Sequence, residues 1–147
     1  MSGSLLGYAA TEIDAPAARV WAALTDFSRY GEWNPFTPEL SAELRPDGPV
    51  RIVADMGFKK FVQRGQVVTV EPPRTLRWYV FPMPRWLAWA DRVQTIEPLG
   101  DNRCVYKSED RMYGPLAPLI TLFSRRSVTR GFEKAGAGLK RFVETQP

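Results

Sequence analysis

The residues best placed to do chemistry lie on two segments near the end of the β-rich stretch. From Asn102 to Met112 the chain alternates. Arg103, Val105, Lys107, Glu109 and Arg111 fall on one face and read as solvent-facing. Cys104, Tyr106, Ser108, Asp110 and Met112 fall on the other and read as interior. The preceding segment carries Ala90, Arg92, Gln94 and Ile96 on one face. A turn at Leu99-Gly100-Asp101 joins the two as a hairpin. That register sets Ile96 near Cys104, and Arg92 near Ser108 and Asp110. Cross-strand neighbours lie about 4.5–5.5 Å apart and diagonal ones about 7–8 Å. Arg92, Gln94, Tyr106, Ser108 and Asp110 therefore form one candidate polar cluster. Burial raises a carboxyl pKa into the range useful for proton transfer. If the protein is an enzyme, Asp110 is the candidate acid/base and Arg92 the candidate partner for an enolate oxyanion. The plainer alternatives are that either charge reaches solvent at a sheet edge, or that the two form a structural ion pair. A slip of one residue would reverse every face.

Much other chemistry is excluded. The chain has no histidine, so Ser-His-Asp and Cys-His systems are ruled out, as are zinc sites built on Cys and His. No phosphate loop and no dinucleotide fingerprint appears. Gly136 and Gly138 lie within a helical pattern, the wrong setting for one. No metal and no cofactor is expected. The single cysteine, Cys104, forbids an internal disulfide and suggests a reducing compartment, which we take as cytoplasmic.

Aromatic residues are abundant: 5 Trp, 5 Tyr and 8 Phe in 147 residues. They make either a bulky core or an aromatic-lined pocket. Trp21 reads as helix-to-sheet core. Trp33, beside Asn34-Pro35, lines a cavity entrance or anchors a loop. Trp78 is expected to face a helix. Trp86 and Trp89 flank the loop Pro82-Met83-Pro84-Arg85 and form an apolar rim or simple loop anchors. Phe123, Val128 and Phe132 belong to the core first and to a pocket lining second. The expected ligand-contacting set is Trp33, Trp78, Trp86, Trp89, Gln94, Tyr106, Ser108, Met112, Phe123 and Phe132.

The elements that must position these residues follow from periodicity. Residues 7–14 read as a first strand. Asp14 is placed to cap a helix whose first turn holds Pro16, and Val20, Trp21, Leu24 and Phe27 recur at helical spacing in it. A second helical turn starts at Asp26 or Ser28 and ends near Gly31. Strands follow at Leu40–Leu44, Val50–Met56, Phe61–Glu71, Thr75–Phe81, Trp89–Glu97 and Asn102–Met112. From Pro115 the period becomes helical, with Leu116, Leu119, Ile120, Phe123, Val128, Phe132, Ala135, Leu139 and Phe142 on one face. Gly131, Gly136 and Gly138 weaken that helix, unless they permit close contact with the sheet or a bend. Strands joined by short turns pair antiparallel, so the arrangement is α+β.

The length suits one domain spanning 1–147. The net charge of +4 has much of its excess at Arg125, Arg126, Arg130, Lys134, Lys140 and Arg141. Glu133 and Glu144 interrupt it, so it reads as a solvated face, not a nucleic-acid site. Met1–Ala10 lacks the basic start of a targeting signal. No apolar run approaches the roughly 20 residues of a membrane helix.

The stretch Ile13-Asp14-Ala15-Pro16 through Val20-Trp21-Ala22-Ala23-Leu24-Thr25-Asp26-Phe27, with Tyr30 and Trp33-Asn34-Pro35, resembles the opening of SRPBCC proteins. This is the START-like superfamily, with families labelled polyketide cyclase/dehydrase. Val70-Glu71-Pro72-Pro73-Arg74-Thr75-Leu76-Arg77-Trp78 and Ile96-Glu97-Pro98-Leu99-Gly100-Asp101 extend the match. The resemblance implies a helix-grip fold: a curved antiparallel sheet around a long C-terminal helix, with two short helices after the first strand. It implies an apolar cavity between sheet and helix. Relatives bind lipids, sterols, quinones, polyketides or hormones, cyclise polyketides, or activate a chaperone, so the fold fixes little about function. The relatives' histidine-ligated iron site and histidine-dependent cyclisation are not available to this chain. Three readings follow. One is a binder of a small apolar or amphipathic ligand. Another is a cyclase or dehydrase working through Arg, Asp and Tyr. The last is a chaperone activator or membrane-surface carrier with peripheral contact. The chain is expected as a monomer or homodimer.

Overall fold

The computed structural model describes residues 3–145. Alternating segments pair in sequence order into one antiparallel sheet of seven strands. The strands are β1 (Ser4–Ile13), β2 (Glu39–Ala42), β3 (Pro49–Asp55), β4 (Lys60–Glu71), β5 (Thr75–Phe81), β6 (Trp89–Pro98) and β7 (Cys104–Tyr113). The sheet order is β1-β7-β6-β5-β4-β3-β2. Only the β1–β7 contact joins strands distant in sequence. The connection that brings it about contains α1 (Ala17–Thr25), a 3₁₀ segment (Phe27–Glu32) and β2 to β6.

The closing element is α2 (Ala117–Glu144), 28 residues long and about 42 Å from end to end at 1.5 Å per residue. It lies mainly along β1 and also touches β7 and α1. The curved sheet gripping this helix is the helix-grip architecture. The expected elements appear within a few residues of their observed limits. Two details differ. Asp14 does not cap α1: Pro16 stands at the cap, with no side-chain hydrogen bond. The carboxylate of Asp14 instead lies 3.4 Å from Arg103. The second short helix is of the tighter 3₁₀ kind, a form used in short connecting pieces.

The glycines of α2 permit close contact. A side chain at Gly138 would meet the backbone carbonyl oxygen of Trp33, and one at Gly136 would meet the Thr11 hydroxyl. The main core fills this end of the molecule, with Ile13, Val20, Leu24, Leu76, Trp78, Ile96 and Leu139 all essentially buried. Toward the start of α2 the packing changes, and the space between helix and sheet is not filled.

Candidate functional site

The inner faces of β6 and β7 carry the polar residues of that space. Arg92 stands opposite Asp110 in the pairing, Gln94 opposite Ser108, and Ile96 opposite Tyr106. Alternation makes all of them point toward α2. Ile96 was expected beside Cys104, but Cys104 pairs with Pro98. The connection is longer than a tight turn: Leu99 N donates to the Arg103 carbonyl, 2.8 Å away. The displacement is two residues, so every face assignment survives it.

The buried groups form a graded cluster. Tyr106 Oη donates to Gln94 Oε1 at 2.6 Å. Arg92 donates through a terminal nitrogen to Ser108 Oγ at 3.0 Å. Its guanidinium carbon lies 4.3 Å from the centre of the Phe132 ring on α2, a cation–π contact strengthened by the exclusion of water. Arg92 Nε, Gln94 Nε2 and Asp110 Oδ1 are shut from solvent with no hydrogen-bond partner. Among the described residues no ion pair joins Arg92 to Asp110. Burial is the largest influence on the Asp110 carboxyl and pushes its pKa up to about 7, with Asp91 adding to the rise and Arg92 opposing it. Asp110 as a whole is only half-buried, but the sealed Oδ1 accounts for the desolvation. Burial likewise raises the Tyr106 and Tyr30 phenols and the Cys104 thiol.

Above this cluster lies a cavity of about 340 Å³ between the sheet and the first half of α2. Leu6, Val80, Ala90, Met112, Val128 and Phe132 give its apolar walls. Arg92 and Asp110 supply charge at its wall. Its mouth is bounded by the β3–β4 turn and the start of β4 (Met56, Phe58, Phe61), the β5–β6 loop (Pro82, Met83), and Ile120 and Ser124 on α2. The volume lies within the range common for small-molecule sites, about 300–1,000 Å³. Among the described residues no group of three or more His, Cys, Asp or Glu side chains is placed to hold a metal.

The sequence-predicted residues divide by location. Arg92, Asp110, Met112 and Phe132 line the cavity. Gln94, Tyr106 and Ser108 are buried beside it in the hydrogen-bonded layer. The other five predicted contacts lie neither in the cavity lining nor in that layer. Trp78 is packed in the core, 1% exposed. Trp33 is buried against Tyr30, with ring centres 4.7 Å apart, and borders a separate shallow groove with Gly138 and Arg141. Trp89 is on the outer face, because Ala90 occupies the inner one. There it stacks on Tyr113, centroids 4.6 Å apart, and abuts Tyr79. Trp86 stands in the β5–β6 loop, 73% exposed. Phe123 is 77% exposed. It precedes Phe132 by nine positions, about half a turn around the helix at 100° per residue.

Sequence reasoning missed Leu6, Phe58 and Thr37 as lining residues. Leu6 points inward because a bulge between Leu5 and Gly7 shifts the β1 register, and alternation alone does not reveal a bulge. Phe58 was readable as an apolar residue in the turn after Gly57, whose φ is 95°.

Known proteins agree with this architecture. The ZhuI aromatase/cyclase from Streptomyces sp. R1128 is similar in structure, with a TM-score of 0.74 at 14% identity, covering 93% of this chain and 92% of that one. Protein Ms6760 from Mycobacterium smegmatis has a TM-score of 0.75 at 17% identity, over 95% and 91% of the two chains. Norcoclaurine synthase from Thalictrum flavum, solved with a transition-state analogue, has a TM-score of 0.69 at 12% identity, over 93% and 92%. At such identities the likeness establishes the fold. No curated protein matches the chain in sequence. The family model described as polyketide cyclase/dehydrase and lipid transport matches residues 8–144, and the chain belongs to that family.

Proposed function

We propose that the chain binds a small apolar or amphipathic molecule in the cavity between sheet and α2, with its polar end toward Arg92 and Asp110. The carrying observation is a cavity of about 340 Å³ with apolar walls and a buried donor and acceptor, Arg92 Nε and Asp110 Oδ1, that lack partners. Burial of the ligand contributes about 25 cal/mol per Å² of apolar surface. An unmet buried donor or acceptor costs about 1–3 kcal/mol, so a ligand whose polar end turns these two side chains into the cavity gains affinity and orientation together. The family's lipid, quinone and polyketide ligands suit this design. The one buried thiol, Cys104, is compatible with a reducing compartment such as the cytoplasm.

The test is native mass spectrometry of protein purified gently from its source, followed by thermal-shift titration with quinones, fatty acids and aromatic ketones. A retained small molecule, or saturable stabilisation by one class, is the expected result. No retained mass and no shift across all three classes would end this reading.

One observation favours a second reading, a cyclase- or dehydratase-type enzyme. Asp110 has a pKa of about 7, so both its acid and base forms are populated near neutral pH. It is the candidate proton carrier, with Arg92 as the donor to a developing enolate oxygen. Turnover that survives Asp110→Asn would remove that assignment.

A further inference from the structure

Tyr8, Leu44 and Leu99 are exposed singly, but most of the large apolar side chains left exposed gather in one region. Phe58, Val62, Trp86, Leu119, Leu122 and Phe123 are all exposed, and they lie on the three segments that surround the cavity mouth. Two of those segments are hairpin connections. The third is the start of α2, where Leu119, Leu122 and Phe123 recur at i, i+3 and i+4. They form a stripe that faces away from the cavity-lining Ile120, Ser124 and Val128. An apolar stripe on the outward side of a helix has no partner within the described chain.

The same segments are rich in unpaired cations. Lys59, Lys60, Arg85, Arg125, Arg126 and Arg130 are all exposed, and among the described residues none of them is in an ion pair. The ion pairs are elsewhere, among them Arg29–Glu32, Arg45–Glu43, Arg77–Asp91 and Lys140–Glu144. Between Ala117 and Phe132, α2 carries no acidic residue. The rim therefore combines protruding carbon with uncompensated positive charge around the opening of an apolar chamber.

We propose that this rim docks on an anionic lipid bilayer, with the cavity opening toward the membrane. Trp86, Phe58 and Phe123 would enter the headgroup–acyl boundary, while the lysines and arginines meet lipid phosphates and carboxylates. An amphipathic surface with basic residues beside aromatic ones binds membranes in this way. A bilayer accepts apolar and cationic groups on one plane from three separate segments, without the shape complementarity a protein partner would need. It would also let a cavity ligand exchange with the lipid phase without crossing water.

Co-sedimentation of the full chain with phosphatidylcholine vesicles, with and without phosphatidylserine, tests the proposal. The expected result is binding to the phosphatidylserine vesicles at low salt, weakened by added salt. Each lysine or arginine near such a surface contributes roughly a fivefold gain, so Arg125→Glu with Arg126→Glu should weaken binding at least about 25-fold. Phe58→Ser with Phe123→Ser should weaken it as well, whereas Leu99→Ser, on the β6–β7 connection, should not. Brominated lipid should quench the wild-type fluorescence, and Trp86→Phe should remove most of that quenching. All these side chains are exposed, so thermal unfolding will show that the variants fold. Failure to bind phosphatidylserine vesicles at low salt overturns the proposal. So does binding that the aromatic substitutions leave unchanged, since pure charge attraction does not require the rim.

Discussion

Arg92 and Asp110 face each other across adjacent strands but do not form an ion pair. The guanidinium lies 4.3 Å over the Phe132 ring and donates to Ser108, while Asp110 Oδ1 has no partner. Pairing with Arg92 would hold the carboxyl low. Burial prevails instead and raises it to about 7. The guanidinium and the carboxyl thus stand unpaired with each other at the cavity wall.

Stability should therefore fall as pH rises through Asp110's range. The folded-state pKa lies above the unfolded value, so the folded chain binds the extra proton between about pH 4 and 7. The contribution is whole below about pH 4 and is lost by about pH 7, a swing on the order of 4 kcal/mol. Asp110→Asn, a neutral isostere, should flatten this. In urea unfolding, the variant should match the parent near pH 4 and exceed its stability near pH 8.

Arg92 should matter to ligand affinity beyond its charge. Arg92→Lys keeps the charge but loses the planar group over Phe132 and the unpartnered Nε. Charge-assisted hydrogen bonds contribute about 1.5–3 kcal/mol, so both Arg92→Lys and Arg92→Met should weaken a polar-headed ligand by about tenfold or more. Isothermal titration with an aromatic ketone or quinone that the parent binds checks this. Equal affinity in Arg92→Lys would show that only charge counts.

Filling the cavity should block binding without unfolding the chain. Ala90 is 3% exposed and lines the wall. Ala90→Leu adds three carbons into space that is otherwise unfilled. Binding should disappear, while the unfolding free energy changes by less than about 2 kcal/mol, because overpacking is costly only where the site is already full.

Gly138→Ala and Gly136→Ala should differ sharply. Helix propensity alone would favour alanine by about 1 kcal/mol in each. A methyl group at Gly138 meets the main-chain carbonyl of Trp33, which cannot move alone; at Gly136 it meets the Thr11 hydroxyl, which rotates. Gly138→Ala should cost about 2–4 kcal/mol in denaturant unfolding, and Gly136→Ala about 1 kcal/mol or less.

The fold was legible because alternation and helical spacing do not depend on register. Arg92, Ser108 and Asp110 were placed inside by parity, and a two-residue error in the β6–β7 connection left parity intact. The aromatic rim was less legible. Trp89 reads as a contact from its place beside the loop, although the Ala90–Arg92 alternation in the same sequence already sends it outward, onto Tyr79 and Tyr113. Phe123 and Phe132 looked like one stripe, but nine residues separate their directions by about half a turn. Apolar identity does not tell a core residue from one awaiting a partner. Leu6 depends on a bulge that leaves no trace in hydrophobic pattern.

The tight seat of Gly138 against the Trp33 carbonyl sets how closely the carboxyl half of the long helix approaches the rest of the chain. The opposite end is tied as well: Leu116 N donates to the Leu87 carbonyl at 3.0 Å, and Ala117 is buried. The rod is thus fastened on both sides of the void, like a beam over a span, and the chamber beneath needs no filler to keep its height.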